Sequence, residues 1–330
     1  MASVSELPLL RVEELETYFF TDQGPVKAVD RITFSIMRKE AVAIVGESGS
    51  GKSAMALSIM RLIPLPGKIV SGKITLEGTG DLTSKTENEM QRIRGRKIAM
   101  SFQDPFTFLN PVMRVGDQIS EAVMLHHKIS EEEARRKTID TMRAVGIQSA
   151  EQRYSDFPHQ FSGGMRQRIL LAIAISCEPE LLIADEPTTA LDVMAQAEIL
   201  NLLRDLKAKF DTSLLLITHD LAIASNLCDK LIIMYAGKIM EIGNADDIFV
   251  NSRHPYTCGL LESLPKVRER VTKLKTIEGS LPSLLNPPSG CRFSPRCPYS
   301  IEKCVKEEPP LFQVGPDHYS SCHRISEIFK

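Results

Sequence analysis

Gly46-Glu47-Ser48-Gly49-Ser50-Gly51-Lys52-Ser53 fits the spacing G-x-x-x-x-G-K-[ST], a pattern built to cradle phosphate. Glycines let the backbone aim its N–H groups at phosphate oxygens, Lys52 can neutralise the β and γ phosphates, and Ser53 offers a hydroxyl to Mg2+. Asp185 and Glu186 stand side by side and suit the same chemistry, Asp185 as a Mg2+ carboxylate acting through water and Glu186 as general base for an attacking water. His219 either senses a γ-phosphate, or holds that water, or caps a loop. Cys291, Cys297, Cys304 and Cys322, spaced C-x5-C-x6-C-x17-C, offer four thiolates that suit zinc or an iron-sulfur cluster; reduced thiols packed as small apolar groups are the plainer alternative. His254, His318 and His323 are substitute ligands, and Cys177, Cys228 and Cys258 read as ordinary buried cysteines.

These residues need elements to hold them. The apolar run Ala41–Val45 predicts a strand leading into the phosphate loop, and Met55, Ile59 and Leu62 predict a helix leaving it. Leu181–Ala184 predicts a strand that delivers Asp185 and Glu186, and Ser213–Ile217 one that ends in Thr218-His219-Asp220. Continuous apolar runs of strand length belong to strands buried on both faces, which makes the fold α/β. Between about 104 and 160 the pattern turns helical, with Val115, Ile119, Ala122 and Val123 on one face and Ser130 with Glu133 as a capping box for a helix over 131–144. That stretch is expected to be a helical insertion in a domain spanning 1–250. From 251 to 330 proline is dense, Pro265 and Pro295 among others, and a small loop-rich extension carrying the cysteine cluster is expected.

The chain of 330 residues is long enough for two domains, or one large domain with an appendage. Hydrophobic residues at 43% and charged residues at 25% are ordinary for a globular protein. A net charge of −2 does not suggest a polybasic surface for nucleic acid or anionic lipid, and leaves room for a local patch. No stretch reaches the roughly 20 apolar residues of a spanning helix, and Met1–Leu10 lacks the basic start of a signal peptide. A cytosolic setting with reduced cysteines is the expectation.

Phe161-Ser162-Gly163-Gly164-Met165-Arg166-Gln167-Arg168 resembles the ABC signature motif. The order of phosphate loop, Gln103 in Ser101-Phe102-Gln103-Asp104-Pro105, signature, Asp185-Glu186, Ala190-Leu191-Asp192 and His219 is similar to an ABC transporter nucleotide-binding domain from about residue 8 to 250. The resemblance implies a P-loop fold with a mixed sheet core and a helical subdomain. It implies that Ser162, Gly163 and Gly164 face ATP bound on a partner subunit, so that ATP is sandwiched between two ATPase domains. It further implies that Phe19, beside Tyr18, stacks on adenine, that Gln103 couples Mg2+ to the membrane subunits, and that Asp192 makes a cross-dimer contact.

Ile44–Ser53, Phe102–Pro105, Pro158-His159 and His254-Pro255-Tyr256-Thr257 are similar to the ATPases of dipeptide and oligopeptide importers. Ala54 and Met165 depart from the wider ABC pattern, since many relatives offer the α-phosphate a hydroxyl at the first position and carry Gln at the second. Lys52, Ser53, Asp185, Glu186 and His219 all remain, so hydrolysis is expected. The tail around Gly290-Cys291-Arg292-Phe293 resembles the C-terminal region of the same importers, some of which carry a [4Fe-4S] cluster on such cysteines. The implied partners are two membrane permeases, a second ATPase and an extracytoplasmic substrate-binding protein, with the chain peripheral on the cytoplasmic face of the membrane. Nickel and other small-solute importers use similar subunits. Rival readings are a soluble ABC ATPase acting on nucleic acid or ribosomes, a P-loop kinase, and a metal-binding regulator; the interval of about 110 residues between the motifs has no sustained heptads, and the signature argues against the kinase.

Overall fold

The computed structural model describes residues 7–189, 191–264 and 276–329. Ala190 of the Ala190-Leu191-Asp192 motif, Pro265 of the tail and the first six residues of the N-terminal reading lie outside them. The strands are β1 (Leu10–Thr21), β2 (Gly24–Ile36), β3 (Ala41–Val45), β4 (Gly67–Leu76), β5 (Gly80–Asp81) and β6 (Ile98–Ser101). Then follow β7 (Leu181–Asp185), β8 (Ser213–Thr218), β9 (Lys230–Tyr235), β10 (Lys238–Asn244), β11 (Phe312–Gly315) and β12 (His318–Ser320). The chain divides into two compact units, the first holding the described parts of Met1–Ile36, Glu40–Thr83 and Thr218–Lys330, the second Met37–Lys39 and Ser84–Ile217.

The first unit contains an antiparallel sheet in the order β2-β1-β4-β5. Its long strands are bulged: the β1–β2 register shifts between Val12 and Leu15, beside Glu14 at φ +46, and Arg31 sits at φ +54. Each bulge resets the period-two alternation, so these strands do not announce themselves as clean alternating runs. The same unit holds the strand run β11-β12-β10-β9-β3, parallel between β3 and β9 and antiparallel elsewhere. All five residues of β3 are buried, as the continuous apolar run predicts. The loop-rich tail adds β11 and β12 to this sheet, a contribution its proline density does not signal.

In the second unit β8, β7 and β6 form a parallel run, again fully buried, and every residue of β7 from Leu181 to Asp185 is inside. The helical stretch is present as Val115–His126 and Glu131–Ala144, with shorter turns around them. Val115, Ile119 and Val123 are all 0% exposed. The Ser130–Glu133 capping box forms as predicted, with Glu133 Oε2 accepting from Ser130 N at 3.0 Å and the Ser130 hydroxyl accepting from Glu133 N at 3.3 Å. Ser120 Oγ lies 2.8 Å from both Thr138 Oγ1 and Tyr154 Oη, so the polar groups inside this helical cluster are satisfied by one another.

Candidate functional site

The phosphate loop leaves the buried end of β3 and runs into a helix over Lys52–Met60. Two of its glycines are dictated by the chain itself. A Cβ on Gly46 would stand 2.1 Å from the Met234 carbonyl oxygen, and one on Gly51, at φ +103, would stand 2.0 Å from that of Ala28. No other residue lets the loop pass so close to β9 and β2. Lys52 is 4% exposed, and its Nζ donates to the carbonyls of Gly46 at 2.9 Å and Glu47 at 3.0 Å, which holds the ammonium inside the curve of the loop. Ser50 is fully buried, and its Oγ has no hydrogen-bond partner among the described residues, while Ser53 and Ala54 follow Lys52 in the first turn of the helix. Gly49 and Ser48 form the outer bend, Gly49 at φ +81.

In the same unit, Phe19 is half-buried near the end of β1, close enough to Gly67 that a Cβ there would meet its ring at 2.7 Å. Tyr18 beside it lies under Lys27 Nζ at 5.7 Å, and its hydroxyl is pushed up to about 12 by burial and by Asp30 and Glu16. His219 is exposed, one residue past β8, and Asp220 caps the helix Leu221–Leu227.

The second unit brings Gln103 and Glu186 together. Glu186 Oε2 accepts from Gln103 Nε2 and from Thr189 Oγ1, both at 2.9 Å. The backbone of Glu186 is left-handed at φ +44, and its N–H donates to Ile217 O at 2.9 Å. A non-glycine residue held in that conformation stores strain where a carboxylate is being aimed. Asp185, just before it, is 5% exposed. Spacing alone does not single out Thr189, because a Ser or Thr three residues after the acidic pair is a common turn feature.

The signature residues form the start of the helix Gly163–Ile175, with Ser162 as N-cap accepting weakly from Met165 N at 3.4 Å. Among the described residues outside the helix, a Cβ on Gly163 would meet nothing nearer than Leu191 at 3.8 Å, and one on Gly164 nothing nearer than Ala195 at 3.6 Å. Asp192 caps the next helix, Val193–Phe210, accepting from Met194 N and Ala195 N at 3.0 Å each; Val193 and Met194 are strongly exposed.

In the tail, Cys291, Cys297, Cys304 and Cys322 all line one small, mostly apolar cavity together with His254 and Tyr299. Burial pushes the Cys291 thiol up to about 12 and Cys322 up to about 11, with the neighbouring thiols adding to the effect, and Cys297 is raised for the same reasons. Four soft sulfur donors on one cavity are a suitable donor set for zinc or iron-sulfur. Among the described residues, however, no group of three or more His, Cys, Asp or Glu side chains stands in an arrangement that holds a metal ion. The substitute histidines are engaged elsewhere: His254 Nδ1 accepts from Tyr256 N, His318 Nε2 pairs with Glu241, and His323 Nε2 bonds the Glu307 carbonyl. Cys177 and Cys228 are buried as expected, and Cys258 is half-buried with its Sγ 3.2 Å from Ser252 Oγ.

Comparison with known proteins adds to this geometry. Residues 29–189 match the ABC transporter family, and residues 240–304 match the oligopeptide/dipeptide transporter C-terminal region. The chain is 51% identical over 304 residues to the oligopeptide transport ATP-binding protein AppD of Bacillus subtilis (strain 168), covering 92% of each. It is 45% identical over 319 residues to the oligopeptide transport ATP-binding protein OppD of Escherichia coli (strain K12), covering 97% of this chain and 94% of that one. It is also 45% identical over 317 residues to the dipeptide transport ATP-binding protein DppD of the same organism, covering 96% and 97%. Among solved structures, it is similar to cbiO1 of Clostridium perfringens, part of an ABC transporter complex, at TM-score 0.63 and 27% identity over 74% of this chain and 91% of that one. The dimeric ATP-binding cassette MJ0796 in a post-hydrolysis state with ADP and Pi shares the fold, at TM-score 0.65 and 24% identity over 72% and 98%. Among the described residues no helix is long and apolar enough to cross a membrane.

Proposed function

Since the chain belongs to the oligopeptide and dipeptide transport ATP-binding proteins of the ABC transporter family, we propose that it hydrolyses ATP to power peptide import through separate membrane subunits. The observation that carries the reading is the held carboxylate of Glu186, fixed by Gln103 and Thr189 at the end of a fully buried strand. In this reading Lys52 and the loop N–H groups bind the β and γ phosphates and Phe19 stacks on adenine. Glu186 takes a proton from the attacking water as its oxygen bonds to the γ-phosphorus and the bond to the β–γ bridging oxygen breaks, leaving ADP and phosphate. His219 steadies the γ-phosphate. Ser53, Gln103 and Asp185 are oxygen donors suited to Mg2+, whose charge neutralises the phosphates when bound.

The two ends of the site divide between copies. Ser162, Gly163 and Gly164 meet ATP held by a second ATPase subunit, and Asp192 touches that subunit; the room around both glycines and the thin cap at Ser162 support this. The permease pair and an extracytoplasmic substrate-binding protein complete the assembly, with the chain peripheral on the cytoplasmic face. The ATPase domain then spans 1–250 and the extension 251–330. The four tail cysteines are the residues that would hold a [4Fe-4S] cluster, or zinc in its place, a reading supported by their convergence on one cavity. Iron, acid-labile sulfide and zinc per chain in anaerobically purified protein decide this: about four iron and four sulfide support the cluster, about one zinc the alternative, and no metal sinks both.

Glu186→Gln tests the main reading. Phosphate release by the assembled transporter should fall by about a hundredfold or more while MgATP binding persists. Near-normal release would sink the assignment of Glu186 as general base.

A further inference from the structure

The extension does more than follow the ATPase core; part of it is fastened to the phosphate loop. Lys27 N donates to Leu284 O at 2.9 Å, and Leu281 approaches to 3.8 Å from where a Cβ on Gly49 would stand. The firmest tie is Arg296. Its side chain is 6% exposed, and Nη1 lies 3.0 Å from both carboxylate oxygens of Glu47, the second residue of the loop, and 3.2 Å from Tyr235 Oη. The rest of the guanidinium is also committed, with Nε donating to Glu278 O at 2.8 Å and Nη2 to Ile277 O at 3.1 Å. Glu47 is held a second time through its backbone, whose N–H donates to the hydroxyl of the fully buried Tyr256 at 3.0 Å. The carbonyl of the same Glu47 accepts from Lys52 Nζ.

A path of direct bonds therefore runs from the tail through Arg296 and Glu47 to the lysine that meets phosphate. We propose that Arg296 is a positioning residue for the nucleotide: it fixes the carboxylate of Glu47, and through it the curve of the loop around Lys52, so that ATP affinity depends on the docked tail. This rests on the nucleotide reading above. The geometry demands arginine, because a planar fork can bond one carboxylate, one hydroxyl and two carbonyls at once, whereas a lysine ammonium has three donors and no fork. Glu47 also has a reason to be acidic that phosphate binding alone does not give. Its carboxylate is the partner that the buried Arg296 guanidinium bonds through both oxygens.

The test is binding of a fluorescent ATP analogue with Mg2+ to the full chain, alongside ATP turnover by the assembled transporter. Arg296→Gln should weaken binding about tenfold, the scale of one lost hydrogen bond to a charged group. KM for ATP should rise in step while kcat stays within about twofold. Arg296→Lys should recover only part of the affinity, and Glu47→Gln should reproduce the Arg296→Gln loss. The double variant should be no worse than either single one, because both break the same tie. Binding by both single variants within twofold of the unaltered chain, or additive losses in the double variant, would overturn the proposal. If Arg296→Gln does not fold, Glu47→Gln, which leaves the tail sequence intact, decides the matter on the same criterion. Failure of the unaltered chain to bind MgATP would instead count against the nucleotide reading, so the two failures are distinguishable.

Discussion

The phosphate loop and the signature segment are both glycine-rich entries into helices, yet their glycines answer to different demands. At Gly46 and Gly51 the crowding comes from this chain: carbonyl oxygens of Met234 and Ala28 occupy the places where side chains would be. At Gly163 and Gly164 the described residues outside the helix leave ordinary van der Waals room for a side chain. In the proposed sandwich, the close approach of a partner's nucleotide gives the reason for glycine there. The helix starts differ in the same sense. Thr86 with Glu89 and Ser130 with Glu133 close full capping boxes on the helices Glu87–Ile93 and Glu131–Ala144. The signature helix has Met165 where those helices have glutamate, and its first turn contains no acid. In the proposed sandwich, this thinly capped start meets the phosphates of a partner's ATP.

The contrast is easiest to break at its crowded end. Gly51→Ala would force a Cβ onto the Ala28 carbonyl and an L-residue into φ +103, a combined cost of about 3 kcal/mol or more. A lower melting temperature together with loss of MgATP binding is the expected result; unaltered melting would mean the loop yields more easily than its packing implies. Gly164→Ala should do the reverse. Removing a helical glycine stabilises by about 0.5–1 kcal/mol where there is room, so the melting temperature should hold or rise. Turnover by the assembled transporter should nevertheless fall about tenfold or more if a partner's nucleotide uses that space. Full activity in this variant would remove the main support for the sandwiched arrangement.

What the sequence discloses follows the same line between local and distant causes. The strand β3, the loop after it and the 131–144 helix with its capping box are legible because each is specified by residues within a few positions. The bulged β1 and β2 are not, because Glu14 and Arg31 in left-handed backbone break the alternation that would reveal them. Glu47 and Arg296 look like two unrelated surface charges 249 positions apart, and only the docked tail shows that one holds the other. Thr189 lies three residues from Glu186, but its bond to the carboxylate depends on the turn that Glu186 makes at φ +44. Convergence of the four tail cysteines is foreshadowed by their clustering; an arrangement that grips a metal is not present among the described residues.

The smallest effect sharpens the comparison of helix starts, and it is read by acid titration. The Glu89 carboxyl is held down to about 2 by hydrogen bonds from the backbone and side chain of Thr86, from an ordinary value of 4.5, and Ser130 lowers Glu133 in the same way. A carboxyl whose pKa is depressed in the folded state contributes stability that is fully present above about 4.5 and disappears as the pH falls toward about 2. Amide protection in the first turn of Glu87–Ile93 should therefore decline through that window as its box opens, and that of Glu131–Ala144 should decline in the same direction as acid protonates Glu133. The first turn of Gly163–Ile175 has no carboxylate to protonate, so its protection should be low at neutral pH and should not follow the same curve. Bound MgATP in the assembled transporter should raise protection there and leave the two boxed helices unchanged, since the proposed sandwich brings an outside anion only to the signature. Parallel acid curves at all three helix starts, or no response of the signature helix to nucleotide, would show that its thin cap is incidental.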